Sequence, residues 1–328
     1  MKRLFPVGLI ILFFLACLKD RNPLVPDEST GIALYLLKDT GITIGEALNT
    51  PVDSLDLQLF PWLSSDDISI YDYSTHFVYL KRDKSNYFNR IYDDHETGLL
   101  PFVWTANNQR IFTGAVYTVS MSFVPPCPVI NSVDPFGTFL PADVFCLVHP
   151  LIRPGKENIL NDERIRTALM ESMVYHAGIS VQLDTVFIVE NSDTSTIRYT
   201  FTVRNHDQDS LYLPDPDVMG SDRFHYYSGD FIFRNASNEA IWPDSEWDPS
   251  LYSMGEWDPA WFTRLPSQDC LTRSVTVRGY PEFQEHVYTC HFQFGGIFRI
   301  EKEARLCSDG RYWMGHVSAA VKTVNLSH

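Results

Sequence analysis

The chain has 328 residues, 45% hydrophobic and 14% aromatic, which is ample apolar material for packed cores and excludes a disordered polymer. Its formal charge of −15 repels phosphate backbones and anionic headgroups, so nucleic acid and electrostatic membrane docking of the chain as a whole are disfavoured. The length exceeds what one core usually takes, and two domains are expected.

The first element is a leader. Lys2 and Arg3 precede an uncharged apolar run of 15 residues from Leu4 to Leu18, the pattern of a secretory signal over residues 1–16. A bilayer-spanning helix needs about 20 apolar residues, whereas this run stops at Lys19-Asp20 and contains Pro6 and Gly8. At its end, Phe14-Leu15-Ala16-Cys17 resembles the lipobox of bacterial lipoproteins, with a small residue before the obligatory cysteine and Phe14 in place of the usual leucine. The resemblance implies cleavage before Cys17, fatty acylation of Cys17 and stable membrane attachment through several acyl chains. Leu18, where an aspartate would mark inner-membrane retention, implies the outer membrane of the cell envelope by the same resemblance. Cleavage removes Lys2 and Arg3 and no acid, leaving a charge of about −17. Residues 17–30, polar and holding Pro23 and Pro26, are expected to form a tether, lipidated as the resemblance implies.

Export permits disulfides. Five cysteines remain after Cys17 is acylated, namely Cys127, Cys146, Cys270, Cys290 and Cys307, an odd number whose spacing fits no zinc pattern.

Residues 31–178 form a β-rich domain with one helix. Strands are expected at Ile32–Leu37, at the alternating Leu55–Leu59, and at His76–Leu80, Ile111–Val119 and Val144–Val148. Asn161 is placed to cap the helix, Asp162 and Glu163 suit its positive end, and Gly178 fits beyond its last turn. Its apolar stripe is Ile165, Ala168, Leu169, Ser172, Met173 and His176.

Residues 179–328 are expected to be a helix-free β-sandwich, with a Trp-rich insertion at 236–262. Strands are expected at Thr185–Val189, Ile197–Asn205, Phe231–Phe233, Thr272–Val277, Val287–Phe294 and Met314–Val324. Tyr288-Thr289-Cys290 resembles strand F of an immunoglobulin-like domain, where a tyrosine two residues before a cysteine ties a corner. The partner cysteine of that family is missing, because Tyr199, Phe201 and Val203 fill the facing strand. The likeness is therefore to cysteine-poor sandwiches such as fibronectin type III or an intracellular proteinase inhibitor type. The fold class expected is mainly β, a β-rich domain followed by an immunoglobulin-like sandwich.

Chemistry is sparse. The chain has no nucleophile elbow, no His-Glu-x-x-His and no phosphate or dinucleotide loop. Asp207, Asp209, Asp215 and Asp217 put four carboxylates in eleven residues, a calcium-type donor set without the glycine and closing glutamate of an EF-hand. Trp242, Trp247, Trp257 and Trp261 fall in one segment that repeats Glu-Trp-Asp-Pro at Glu246 and Glu256, a candidate surface for a protein or glycan. Asp66, Asp72 and His76 offer the residue types of acid–base or metal chemistry. Two functions follow: a membrane-anchored, non-enzymatic binding or structural module, or a lipid-anchored hydrolase or metal-dependent enzyme centred on Asp66, Asp72 and His76. Protease inhibition is a third, by analogy of fold alone.

Overall fold

Alternating and fully apolar runs fold into sheets, and the protein is mainly β. The computed structural model describes residues 30–81, 99–117, 125–132, 140–149, 158–190, 195–228, 231–241, 256–280, 283, 287–297, 299–319 and 322–325. In the first half lie β1 (Ile32–Leu36), β2 (Leu63–Ser64), β3 (Ile68–Asp72), β4 (Phe77–Leu80) and β5 (Leu100–Ala106). β6 (Gln109–Val116), β7 (Val129–Asn131), β8 (Val144–Val148) and β9 (Tyr175–His176) follow. Among the described residues they make one mixed sheet in the order β2-β1-β5-β6-β7-β8-β4-β3-β9, parallel at β6/β7 and β3/β9.

Among the described residues two helices accompany this sheet where one was expected. The first, α1 (Ile44–Asn49), starts at a capping box in which Thr43 and Glu46 satisfy each other's backbone amides. The second, α2 (Glu163–Glu171), is capped one residue later than expected, by Asp162 accepting from the Arg164 amide. Asn161 instead ends a short 3-10 turn. Ile165, Ala168 and Leu169 are buried against the sheet. Met173 is 89% exposed and leaves the expected stripe, because it reverses the chain with a positive φ. Gly178 does not end the helix. It opens the next strand with φ 72°, where a Cβ would strike Ser74 Oγ. The alternating Leu55–Leu59 is not a strand either. It makes one isolated bridge, Leu57 to Leu37 just beyond β1, and leaves Leu59 exposed.

The second half contributes β10 (Ile179–Glu190), β11 (Ser195–Asn205), β12 (Ser210–Pro214), β13 (Phe231–Arg234), β14 (Ala240–Ile241) and β15 (Phe262–Leu265). Then come β16 (Cys270–Tyr280), β17 (Val287–Gly295), β18 (Leu306–Cys307), β19 (Gly310–Tyr312), β20 (His316–Ser318) and β21 (Lys322–Asn325). They form three sheets: β10-β11-β16; β15-β12-β19-β18; and β14-β13-β17-β20, with β21 also on β17. The helix-free expectation fails here. Asp215 caps α3 (Pro216–Met219) with proline at the first turn, α4 (Ser221–Ser228) follows, and α5 (Lys302–Arg305) precedes β18. Among the described residues no helix is long and apolar enough to cross a membrane.

Tyr199 stacks on Phe231 at 4.4 Å and Phe201 meets Phe292 at 5.0 Å, so the β10-β11-β16 sheet faces the β13-β17 sheet across an aromatic core. Tyr288 and Cys290 of β17 are buried in it, and Cys290 carries a free thiol whose hydrogen is offered to the Lys322 carbonyl. The other four described cysteines are free as well. The largest buried cluster crosses residue 178. Phe77, Tyr79, Val144 and Cys146 of β4 and β8 join the second half's core, while Val78, Leu80, Phe145 and Leu147 face α2. β4 and β8 are thus covered on both faces, which explains their unbroken apolar runs.

Candidate functional site

The acid–histidine group of the first half does not assemble. Asp66 is exposed in the 3-10 turn before β3, while Asp72 is buried at the strand's far end. Asp72 accepts from Ser74 Oγ at 2.6 Å and from Arg311 Nη2 at 2.8 Å. His76 stands at φ 56° with Nδ1 3.1 Å from the Tyr71 hydroxyl. Burial pushes its pKa down to about 4, against the opposing charge of Asp72 and a hydrogen bond with Asn161, so the ring is neutral. The expected acid–base constellation does not form: β3 holds Asp66 a strand length from Asp72, and Asp72 and His76, though near enough for charge to act, bond to different partners.

What the fold does assemble there is a network between distant segments. Arg311 Nη2 bridges Asp72 and Asp207, at 2.8 and 3.1 Å, and His176 Nδ1 donates to Asp207 at 3.1 Å. Arg305 pairs with Asp143 through two bonds of 3.1 Å. The Tyr79 ring lies near both guanidiniums, 4.8 Å from Arg305 and 5.8 Å from Arg311. Desolvation raises Asp207, but the His176 hydrogen bond and the Arg311 charge outweigh it and hold the carboxyl below its ordinary range. Desolvation likewise pushes the Tyr79 hydroxyl up to about 12. Asp207, pinned in this way, is a poor proton acceptor; the arrangement ties the two halves together. Reading along the chain could not reveal it, since Arg311 lies 239 residues from Asp72 and 104 from Asp207.

The four aspartates expected to bind calcium are also divided. Asp207 is engaged as described, and Asp209 is exposed. Asp215 is fully buried, caps α3 and receives both arms of Arg273 at 2.7 Å, while Asp217 meets the same guanidinium at 2.9 Å. Burial raises Asp215, and the Arg273, Thr263 and Asp217 hydrogen bonds more than reverse this. Arginine occupies the place a cation would take. Among the described residues no group of three or more His, Cys, Asp or Glu side chains is placed to hold a metal.

Trp242, Trp247 and Cys17 lie outside the described residues. Trp257 and Trp261 are both half-buried and pack against the main core. Trp261 meets Tyr227 at 5.4 Å, with the Arg223 guanidinium 4.8 Å from its ring. Trp257 belongs to an aromatic strip on the β15-β12-β19 sheet. It lies edge-on to Tyr312 at 5.5 Å, and Tyr312 lies 5.0 Å from Tyr212, its partner in the parallel register. Strand alternation turns these rings outward. Leu211, Leu213, Arg311 and Trp313 point in and are buried, whereas Tyr212, Tyr312 and Arg264 point out. At the strip's rim Asp309 accepts from the Tyr212 hydroxyl at 3.0 Å and pairs with Arg264 at 2.7 Å. The Tyr212 hydrogen bond, with Arg264 adding to it, holds Asp309 below its usual range. Half-exposed rings beside a guanidinium, a carboxylate and two phenols suit stacking and hydrogen bonding to a polar, flat-faced ligand. Reading along the chain singled out Trp257 and missed Tyr212, Tyr312, Arg264 and Asp309, which the parallel β12/β19 and antiparallel β12/β15 pairings bring together.

Clefts run along α2, one of about 720 Å3 beside Asn158, Ile159, Asn161, Asp162 and Glu163, and one of about 230 Å3 beside Asn107 and Arg164. No protein-family model matches the chain, and no curated protein matches it.

Proposed function

We propose that the chain is an exported, lipid-anchored binding module of the bacterial cell envelope, held by acylated Cys17 in the outer membrane and non-enzymatic. The Trp257–Tyr312–Tyr212 strip is the single observation that supports a binding role: apolar rings left half-exposed on an ordered sheet, rimmed by Arg264 and Asp309. The likeness of Tyr288-Thr289-Cys290 to an immunoglobulin-like strand fits a scaffold of this kind. The enzyme alternative has lost its named residues, since Asp66, Asp72 and His76 do not meet.

The test has two arms. Radiolabelled fatty acid should be incorporated by the chain and not by Cys17→Ser; label retained without the thiol refutes the anchor. On an array of uncharged glycans, binding should be present in the wild type and lost in Trp257→Ala/Tyr312→Ala at unchanged Tm. A double variant that binds as before, or one that melts many degrees lower, removes this strip as a recognition surface.

A further inference from the structure

We infer that the outward face of the β10-β11-β16 sheet is a docking surface for an anionic polysaccharide. It is a different face from the Trp257 strip and does not depend on it.

The face follows from alternation. Ile197, Tyr199, Phe201 and Val203 of β11 are wholly buried, so Arg198, Thr200, Thr202 and Arg204 point out. On β16 the buried Val275 and Val277 turn Ser274, Thr276 and Arg278 outward. The register sets Arg198 between Phe187 and Thr276, and Thr200 between Thr185 and Ser274. Thr202 follows between Gln182 and Thr272. Hydroxyls bond across the strands, Thr200 with Ser274 at 2.9 Å and Thr202 with Thr272 at 2.8 Å. These pairings hold a row of hydroxyls in fixed positions, each with further hydrogen-bonding capacity.

Charge singles this face out. The chain has 41 acids against 26 lysines and arginines. Arg164, Arg166, Arg264, Arg273, Arg305 and Arg311 each pair with a carboxylate. Arg198, Arg204 and Arg278 are exposed, and among the described residues none has a carboxylate partner. Asp184, the acid near the middle of the face, accepts from Thr202 at 2.7 Å and Gln182 at 3.0 Å, neutral donors that leave its single charge set against three arginines. Arg278 sits two residues beyond the partner of Arg198, a diagonal separation of about 7–8 Å at which like charges repel. Arg198 and Arg204, six residues apart on one strand, stand about 20 Å from each other. Beside Arg198, Phe187 is 59% exposed and Val189 50% exposed.

Guanidinium forks at both ends, ordered hydroxyls between them and an open phenyl ring match a chain of sugars. The arginines take carboxylate or sulfate groups, the hydroxyls bond ring substituents, and Phe187 packs on a sugar face. A nucleic acid carries a charge per about 1.7 Å and is repelled by the acidic remainder more strongly than a glycan with at most one charge per sugar ring. A lipid surface fits poorly, because the apolar part is confined to Phe187 and Val189.

The experiment uses the full-length chain in detergent, titrated at low salt with polygalacturonate, neutral dextran, poly-glutamate and phosphatidylglycerol vesicles. Polygalacturonate should bind, dextran should not, and affinity should fall with added salt. Arg198→Glu/Arg278→Glu should weaken binding at least tenfold, and the milder Arg198→Gln/Arg278→Gln severalfold, both at the wild-type Tm. Trp257→Ala/Tyr312→Ala should bind polygalacturonate as the wild type does, which separates this face from the aromatic strip. The inference is overturned if polygalacturonate does not bind or if a folded glutamine variant binds it undiminished. It also fails if the preferred ligand is poly-glutamate (an acidic protein) or the vesicles (a lipid surface).

Discussion

Arg311 holds two carboxylates that the chain brings from opposite halves of the molecule, and it is almost wholly removed from water. Its Nε and Nη1 atoms find no protein hydrogen-bond partner, so charge rather than a full set of hydrogen bonds keeps it in place. Pairs of this kind contribute little against a well-packed apolar substitute, yet cost heavily when only one partner is removed. Arg311→Met should therefore destabilise the fold by about 3–5 kcal/mol in a urea titration, since Asp72 and Asp207 stay buried. Asp72→Asn/Arg311→Met should recover part of that loss, because Asp207 keeps His176. An Arg311→Met chain as stable as the wild type would mean that the two halves are held by apolar packing alone.

Among the elements, α2 shows how far local rules reach. Its buried face, its acidic first turn and its existence follow from Ile165, Ala168, Leu169 and Glu163. The cap shifted from Asn161 to Asp162 because the preceding residues close a 3-10 turn that takes Asn161 inside it. Asp162 also receives the Arg164 guanidinium at 2.6 Å. Asp162→Ala should cost about 1 kcal/mol of stability, the usual loss of a side-chain cap, with the helix otherwise intact by circular dichroism. No change would mean that α2 is held by its apolar face alone. The segment Leu55–Leu59 teaches the opposite lesson. Alternation reports which side chains are covered, and Leu55 and Leu57 do cover a small core with Leu37, Ala47 and Val103. It does not report a hydrogen-bonded ladder, which here shrinks to one bridge.

For the molecule as a whole, the buried histidines set the response to acid. Burial pushes His76, His225 and His316 each down to about 4, from about 6.5 in an unfolded chain. The folded state thus keeps them neutral where the unfolded chain takes up protons. Stability is full above pH 6.5 and is lost as pH falls toward 4, by about 1.4 kcal/mol per pH unit for each histidine. Asp207 and Asp215, both held below the ordinary carboxylate range, add a further loss below about pH 4. Tm measured from pH 7 to pH 4 should fall steadily, and His76→Gln should flatten that slope by about one histidine's share. A flat profile would mean that these rings reach water in the native state.

The amino-acid sequence alone determined the mainly β class, the inward and outward faces of β11, and the existence and buried face of α2. Each depends on residues within a few positions of one another, where backbone geometry fixes which side chains share a face. It also contained an unread signal, the Thr43–Glu46 capping box of α1. Only the tertiary structure decided what the acids do. A carboxylate's partner is a matter of which strands lie side by side: Asp72 and Asp207 meet Arg311, and Asp215 meets Arg273. Sequence proximity grouped Asp207 with Asp215 and Asp66 with His76, but a strand moves its two ends apart by more than 3 Å per residue. The same pairing of remote strands laid Tyr312 beside Tyr212 and set three arginines on a face where, among the described residues, none pairs with a carboxylate.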